Sequence, residues 1–209
     1  MEIDKDFKEA LKQMPSKEKD KLVLRLLRKD YILAQKLHFE LMAQESIEDK
    51  RNLVEDKLIN EFKRVDFTKY HPTYIMMILR YMSGDINHHV RVTKDKYGEI
   101  SLNLLMIKST LQKEITLDTI NDSERVYKFC VYIIARMFKI IVMIKSLHED
   151  LQFDFIDDLH DIGQLIGRNP ALMKVAIYNT FDVNWIIKNE IPENVKEIHK
   201  EIKKMGLLK

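Results

Sequence analysis

Helix-breaking residues are scarce in this chain and lie between segments of helical periodicity. The 209 residues include 5 glycines and 4 prolines. Proline removes a backbone donor that a helix interior needs, whereas the frequent leucine, lysine and glutamate favour helices. Segments with an apolar face are separated at Pro15, Pro72, Gly84, Pro170 and Pro192. The pattern predicts an all-α fold, either a multi-helix bundle or an irregular array of antiparallel helical hairpins, in a single domain over residues 1–209.

The apolar periodicity divides the chain into shorter helices arranged around one long central helix, at about residues 122–149. Asp30 is expected to cap a helix that runs through Leu41. The other predicted helices cover residues 4–13, 17–29, 48–66, 74–82, 102–115, 153–166, 171–178, 182–188 and 192–205.

Residues 88–104 allow two interpretations. Val90 and Val92, then Ile100 and Leu102, alternate with polar residues around a central turn, which is typical of a β-hairpin. An isolated two-stranded ribbon is only marginally stable, and every neighbouring segment is predicted to be helical. Helix is therefore the favoured structure, with the hairpin as the alternative.

The apolar run from Phe129 to Leu147 is nearly as long as a membrane-spanning helix, which takes about 20 residues. Arg136 and Lys139 lie near its centre, where each charge costs at least ~2.5 kcal/mol on insertion. We therefore expect no membrane partner. The run is interpreted as the central helix, which is apolar over most of its circumference because other helices surround it.

Cysteine usage and the first residues favour a cytoplasmic location. Cys130 is the single cysteine, so an intrachain disulfide is impossible, and its apolar surroundings predict a buried free thiol without chemistry. Residues 1–4 have neither the basic nor the apolar region of a signal peptide.

The central helix carries one polar stripe, which is the candidate binding surface. Its members recur every three or four residues and so share one face: Arg125, Lys128, Tyr132, Arg136 and Lys139. The next helix carries an acidic face formed by Asp154, Asp157, Asp158 and Asp161. Because a tight turn joins the two helices, we expect them to pack antiparallel with these charges paired. The alternative is that Arg136 and Lys139, with Tyr132 beside them, line a pocket for an anionic ligand, since the planar fork of arginine suits phosphate or carboxylate.

A short motif suggests metal chemistry. The segment Leu159-His160-Asp161-Ile162-Gly163 resembles the His-Asp signature of the HD-domain metal-dependent phosphohydrolases, which are all-α enzymes. The resemblance implies His160 and Asp161 as ligands of a divalent metal that activates water, with His148 as a third ligand. It extends over a small part of the chain. His148 lies closer to the motif than the family pattern expects, and Asp182, the candidate distal aspartate, is also too close.

The charge balance limits nucleic-acid binding. With 35 basic and 33 acidic residues the net charge is only +2, which argues against a nucleic-acid partner. Residues 17–29 form the best basic cluster, but acidic residues dilute it and no aromatic residues interleave to stack bases.

No catalytic constellation beyond this motif is recognised, so no catalytic residue is assigned. The favoured function is a noncatalytic one without a cofactor: an α-helical interaction or scaffolding protein that binds a protein partner or associates with itself. The alternatives are the metal-dependent phosphohydrolase and a nucleic-acid accessory protein.

Overall fold

The computed structural model describes residues 4–113, 115, 117 and 123–208. Within these residues all regular secondary structure is helical, which confirms the all-α prediction. The α-helices are α1 (Lys5–Gln13), α2 (Ser16–Lys29), α3 (Tyr31–Met42), α4 (Ile47–Arg64), α5 (Pro72–Thr93), α6 (Lys96–Leu111), α7 (Ser123–Ile144), α8 (Glu149–Gln152), α9 (Ile156–Gly167), α10 (Pro170–Tyr178), α11 (Asn184–Ile187) and α12 (Val195–Lys204). Short 3-10 turns lie at Phe67–Lys69 and Phe153–Phe155. That residues 1–209 form a single domain stays a prediction.

The core is built around α7. This helix packs against α5, α6, α10 and α12. Its buried side chains are Val126, Phe129, Cys130, Val131, Ile133, Ile134, Met137, Phe138, Ile140, Ile141 and Ile144. These residues occupy most of the helix circumference, as predicted for a central helix, and no helix of the described residues is long and apolar enough to cross a membrane.

The limits of the central helix differ from the prediction at its C-terminal end. The helix ends at Ile144 instead of about residue 149, and Asp122 lies outside the described residues. After Ile144 the backbone changes from α-helical bonds to the shorter bonds of a turn. The amides of Ser146 and Leu147 donate to carbonyl oxygens only three residues back, each at 3.0 Å. His148 then caps α8, with Nδ1 accepting from the Asp150 amide at 3.4 Å.

The break predicted at Gly84 is absent. Helix α5 runs through it and reaches 22 residues, the same length as α7. A glycine within a helix costs about 1 kcal/mol, whereas burying one large apolar side chain gives about 1.5–3 kcal/mol. Leu79, Met82 and Ile86 flank Gly84 and are buried, so packing outweighs the local preference.

The region around residues 88–104 is helical, as favoured, with no hairpin. Lys94 takes a left-handed conformation with φ of 60° at the end of α5. Asp95 then caps α6, its side chain accepting a hydrogen bond from the Gly98 amide at 2.8 Å. Helix α6 ends at Leu111, four residues before the predicted end.

Candidate interaction surface

The first three helices, α1–α3, form an arm in which no residue is fully buried, although several residues of α2 and α3 are half-buried. They contain 9, 14 and 12 residues, and no residue in them is buried. Large apolar side chains of the arm are exposed: Phe7 at 56%, Val23 at 48%, Leu24 at 55%, Leu26 at 49% and Leu41 at 77%. The neighbouring body, α4–α12, contains the cluster of buried apolar side chains, although Tyr81, Phe153 and Ile177 are exposed at 71%, 66% and 70%.

Helix α2 has two distinct faces. Leu22, Val23, Leu26 and Leu27 lie on one side, which we call the α2 apolar face. The residues at its edges, Leu22 and Leu27, are half-buried, while Val23 and Leu26 in the middle are exposed. The opposite side, the α2 basic stripe, carries Lys17, Lys21, Arg25 and Arg28 at helical spacing, and all four are exposed. An amphipathic helix of this kind normally packs its apolar face against a partner.

The arm joins the body mainly through α3. Helix α3 packs against α5, and α2 against α3. A cavity of about 770 Å³ lies beside this contact and is lined by residues of α3, α4 and α5. Phe39 and Met42 line it from the arm, and Leu53 and His88 from the body. The contact between arm and body is therefore open to solvent.

Arg136, the centre of the predicted binding stripe, lies in a polar seam between α5, α6 and α7. Its guanidinium donates to Oδ1 of Asn103 at 2.8 Å and to the hydroxyl of Tyr132 at 3.0 Å. The Tyr132 hydroxyl also lies 3.2 Å from Oγ of Ser83. These bonds give the stripe's two central members partners inside the fold.

The other members of the stripe lie at the protein surface. Lys139 forms an ion pair with Glu99 of α6 at 3.1 Å, and Lys128 pairs with Glu124 on its own helix at 2.6 Å. Arg125 is exposed. The five residues share one face as predicted, but Arg136 and Lys139 contact α6 and Lys128 contacts α7 itself.

The expected pairing between this stripe and the acidic face of α9 is wrong. Lys108 of α6 instead binds that face, with Nζ 2.7 Å from Oδ1 of Asp158 and 2.7 Å from Oδ2 of Asp161. Helix α9 packs on α6 and α11, because the turn after α7 is longer than predicted and contains α8. The prediction assumed a tight turn between the two helices.

The residues of the His-Asp motif contact different partners. Nδ1 of His160 lies 2.9 Å from the carbonyl oxygen of Ile187, while Asp161 binds Lys108. A hydrogen bond from the Lys108 ammonium and its positive charge lower the pKa of Asp161. His148 caps α8, and its side chain is 75% exposed.

No group of three or more His, Cys, Asp and Glu side chains within the described ranges is arranged to hold a metal ion. Asp182, the candidate distal aspartate, accepts a hydrogen bond from the Asn184 amide at 2.9 Å near the start of α11. Structural contacts within the fold therefore engage all four candidate ligands: His160, Asp161, His148 and Asp182. The metal alternative still depends on the sequence resemblance alone.

Sequence reasoning missed a buried charged cluster that joins α4, α5 and α6. Asp95 is at its centre, with a side chain only 4% exposed. Arg51 donates to both carboxylate oxygens, at 2.7 and 3.1 Å, and Nε2 of His89 lies 3.0 Å from Oδ2. Arg51 and Asp95 are 44 positions apart, so no helical spacing connects them. The capping position of Asp95 was the only local signal.

Burial acts to raise the pKa of Asp95, but hydrogen bonds from Arg51, His89 and the Gly98 amide outweigh it and lower the pKa below its usual value. Gly98 is required beside this cluster. A Cβ atom there would lie 2.0 Å from Oδ2 of Asp95 and 2.7 Å from Nε of Arg51. The cluster therefore acts as a structural clamp on the N-terminal end of α6.

Comparisons of this chain with protein-family models, with curated proteins and with solved structures find no significant match.

Proposed function

We propose that this chain is a noncatalytic interaction or scaffolding protein whose arm binds a protein partner while the body anchors it. The observation that carries the proposal is the arm itself: three consecutive helices without a buried residue, of which α1 and α2 are amphipathic. Amphipathic helices take most of their stability from packing the apolar face, so an uncovered face favours a partner.

The exposed side chains supply part of the driving force for association. Full burial of a Val, Leu or Phe side chain is worth about 1.5–3 kcal/mol. Phe7, Val23, Leu24 and Leu26 each leave about half of their surface in water. Covering them would release roughly 3–6 kcal/mol before the cost of association is subtracted. Because association itself costs about 4–15 kcal/mol, a stable contact must also cover further surface of the arm.

The ordered polar groups of the body support a noncatalytic role. Arg136, Lys108 and Asp95 each use their polar atoms on neighbouring side chains within the fold. Cys130 is fully buried, and burial raises the pKa of its thiol to about 12. Such a thiol is protonated at neutral pH and is a poor nucleophile. We place the protein in the reducing cytoplasm, where a free thiol persists.

Site-specific crosslinking in cells tests the proposal. A photo-crosslinking amino acid at position 26 should give discrete adducts, and mass spectrometry of the joined peptides identifies what covers the arm. The control position is Arg80, an exposed residue of α5. Val23→Asp in the same chain should remove the position-26 adducts. Equal adducts from both positions, or none from position 26, would contradict the proposal.

The α2 basic stripe favours a nucleic-acid accessory role as the second candidate. Helix α2 contains six basic and two acidic residues, whereas the whole chain has a net charge of only +2. Phosphate contacts by Lys and Arg make affinity fall steeply with salt. Oligonucleotide binding that weakens with salt and with Arg25→Glu/Arg28→Glu would support this role. Binding unchanged by that double substitution would show that the α2 basic stripe is not the nucleic-acid binding surface.

A further inference from the structure

We infer that the α2 apolar face is covered by the same face of a second copy of this chain, with the two α2 helices antiparallel. The inference rests on the proposed function, because it names the partner of the arm. It depends on where the charged residues lie around α2 relative to the apolar face.

The middle of the α2 apolar face is accessible at Val23 and Leu26, and the face lies opposite the α2 basic stripe. At 3.6 residues per turn, its four residues span an arc of about 140°. The α2 basic stripe lies on the opposite side of the helix, so its charges remain in water when the apolar face is covered. Lys19 lies on the same side of α2 as the apolar face, one turn before Val23. Its ammonium is directed away toward α1, where it donates to the carbonyl oxygen of Lys12 at 2.8 Å. The apolar face can therefore meet a copy of itself without bringing the basic stripes into contact.

Two residues of opposite charge flank one edge of this face. Glu18 and Lys29 are 11 residues apart in the sequence, which is three helical turns, so they lie within about 20° of each other around the helix. Both side chains are exposed. They stand at opposite ends of α2, with the exposed Val23 between them.

A two-fold axis brings these charges into register. In an antiparallel pair of identical helices the same edge of each helix faces its copy, and residues equidistant from the axis meet. Along the helix axis, the midpoint between Glu18 and Lys29 lies at the level of Val23 and Leu24, near the middle of the apolar face. Glu18 of each copy would then meet Lys29 of the other. A parallel two-fold pair would instead place this edge of one helix beside the opposite edge of the other, so Glu18 and Lys29 would lie on different sides of the contact and would not pair.

Charge swapping tests the antiparallel register by sedimentation equilibrium. Glu18→Lys alone and Lys29→Glu alone each convert two attractive pairs into two repulsive ones, and should weaken self-association roughly tenfold. An equimolar mixture of the two variants restores both attractions, so the mixed dimer should form about as well as the native one. A mixture that associates no better than either variant alone would overturn the inference.

Disulfide trapping tests the contact directly. Val23→Cys lies near the proposed axis and should form a disulfide-linked dimer under mild oxidation. Arg25→Cys on the basic stripe is the matched control and should not. The native Cys130 is fully buried and does not compete. Melting temperatures near the native value would show that the variants fold. Equal trapping at both positions, or none at position 23, would refute the pairing.

The outcomes separate this inference from the proposed function. If the purified chain stays monomeric and adducts from position 26 join it to a different protein, the arm is a binding surface but not a self-association surface. If position 26 gives no adduct with any protein, the proposed function fails as well.

Discussion

Gly98→Ala should destabilise the protein strongly, although alanine is the better helix former. The new Cβ would lie 2.0 Å from Oδ2 and 2.6 Å from Cγ of Asp95, so the carboxylate must leave its position. It would then lose its bonds to Arg51 and to the amide at position 98. Breaking a buried ion pair costs about 3–5 kcal/mol, and the gain in helix propensity returns about 1 kcal/mol. The expected net loss is about 2–4 kcal/mol.

Urea denaturation followed by circular dichroism measures this loss as a lower midpoint with an unchanged slope. Gly84→Ala is the matched control, because nothing lies within 4 Å of a Cβ atom at that position in the middle of α5. The control should be stabilised by about 0.5–1 kcal/mol. If Gly98→Ala were as stable as Gly84→Ala, the clamp around Asp95 would not have the tight packing described above.

Three further outcomes are expected. Because the pKa of Asp95 is lower in the folded protein than its usual 3.8, its ionised form stabilises the fold above that value, and this stability is lost as the pH falls through the folded pKa. Asp95→Asn should therefore flatten the acid side of the stability curve, and an unchanged slope would contradict the cluster's role. Lys108→Met should restore the pKa of Asp161 toward its usual value, measurable by NMR titration, and no change would exclude the Lys108 bridge. Cys130 should react with thiol reagents only after urea unfolding, since its thiol is buried with a raised pKa, and rapid native alkylation would contradict that burial.

Local patterns predicted the fold class because each helix carries its own signals. Asp30 was expected to cap α3, and its side chain accepts from the Leu33 amide at 3.0 Å. The apolar circumference of residues 129–147 indicated a central helix, and α7 is surrounded by four others. These features depend on neighbouring residues in the sequence, which periodicity and capping preferences describe well.

Features set by packing between distant segments could not be predicted in this way. The sequence around Gly84 predicted a break between two helices, but buried neighbours on both sides keep α5 continuous. The acidic face of α9 was recognised, yet its partner Lys108 lies 50 residues from Asp158 on a different helix from the expected one. The Arg51–Asp95 pair gave no pattern at all. The apolar faces of α1 and α2 could be recognised in the sequence, but only the structure shows that their large side chains are exposed.

Hydrogen–deuterium exchange of the arm tests the central claim most directly. The purified chain is measured at a dilute and at a concentrated condition, and the amides of residues 22–27 are compared with those of α7. If a second copy covers the α2 apolar face, protection of residues 22–27 rises with concentration while protection of α7 stays constant. Equal exchange of residues 22–27 at both concentrations, with the chain above the concentration at which sedimentation reports dimer, would contradict the claim.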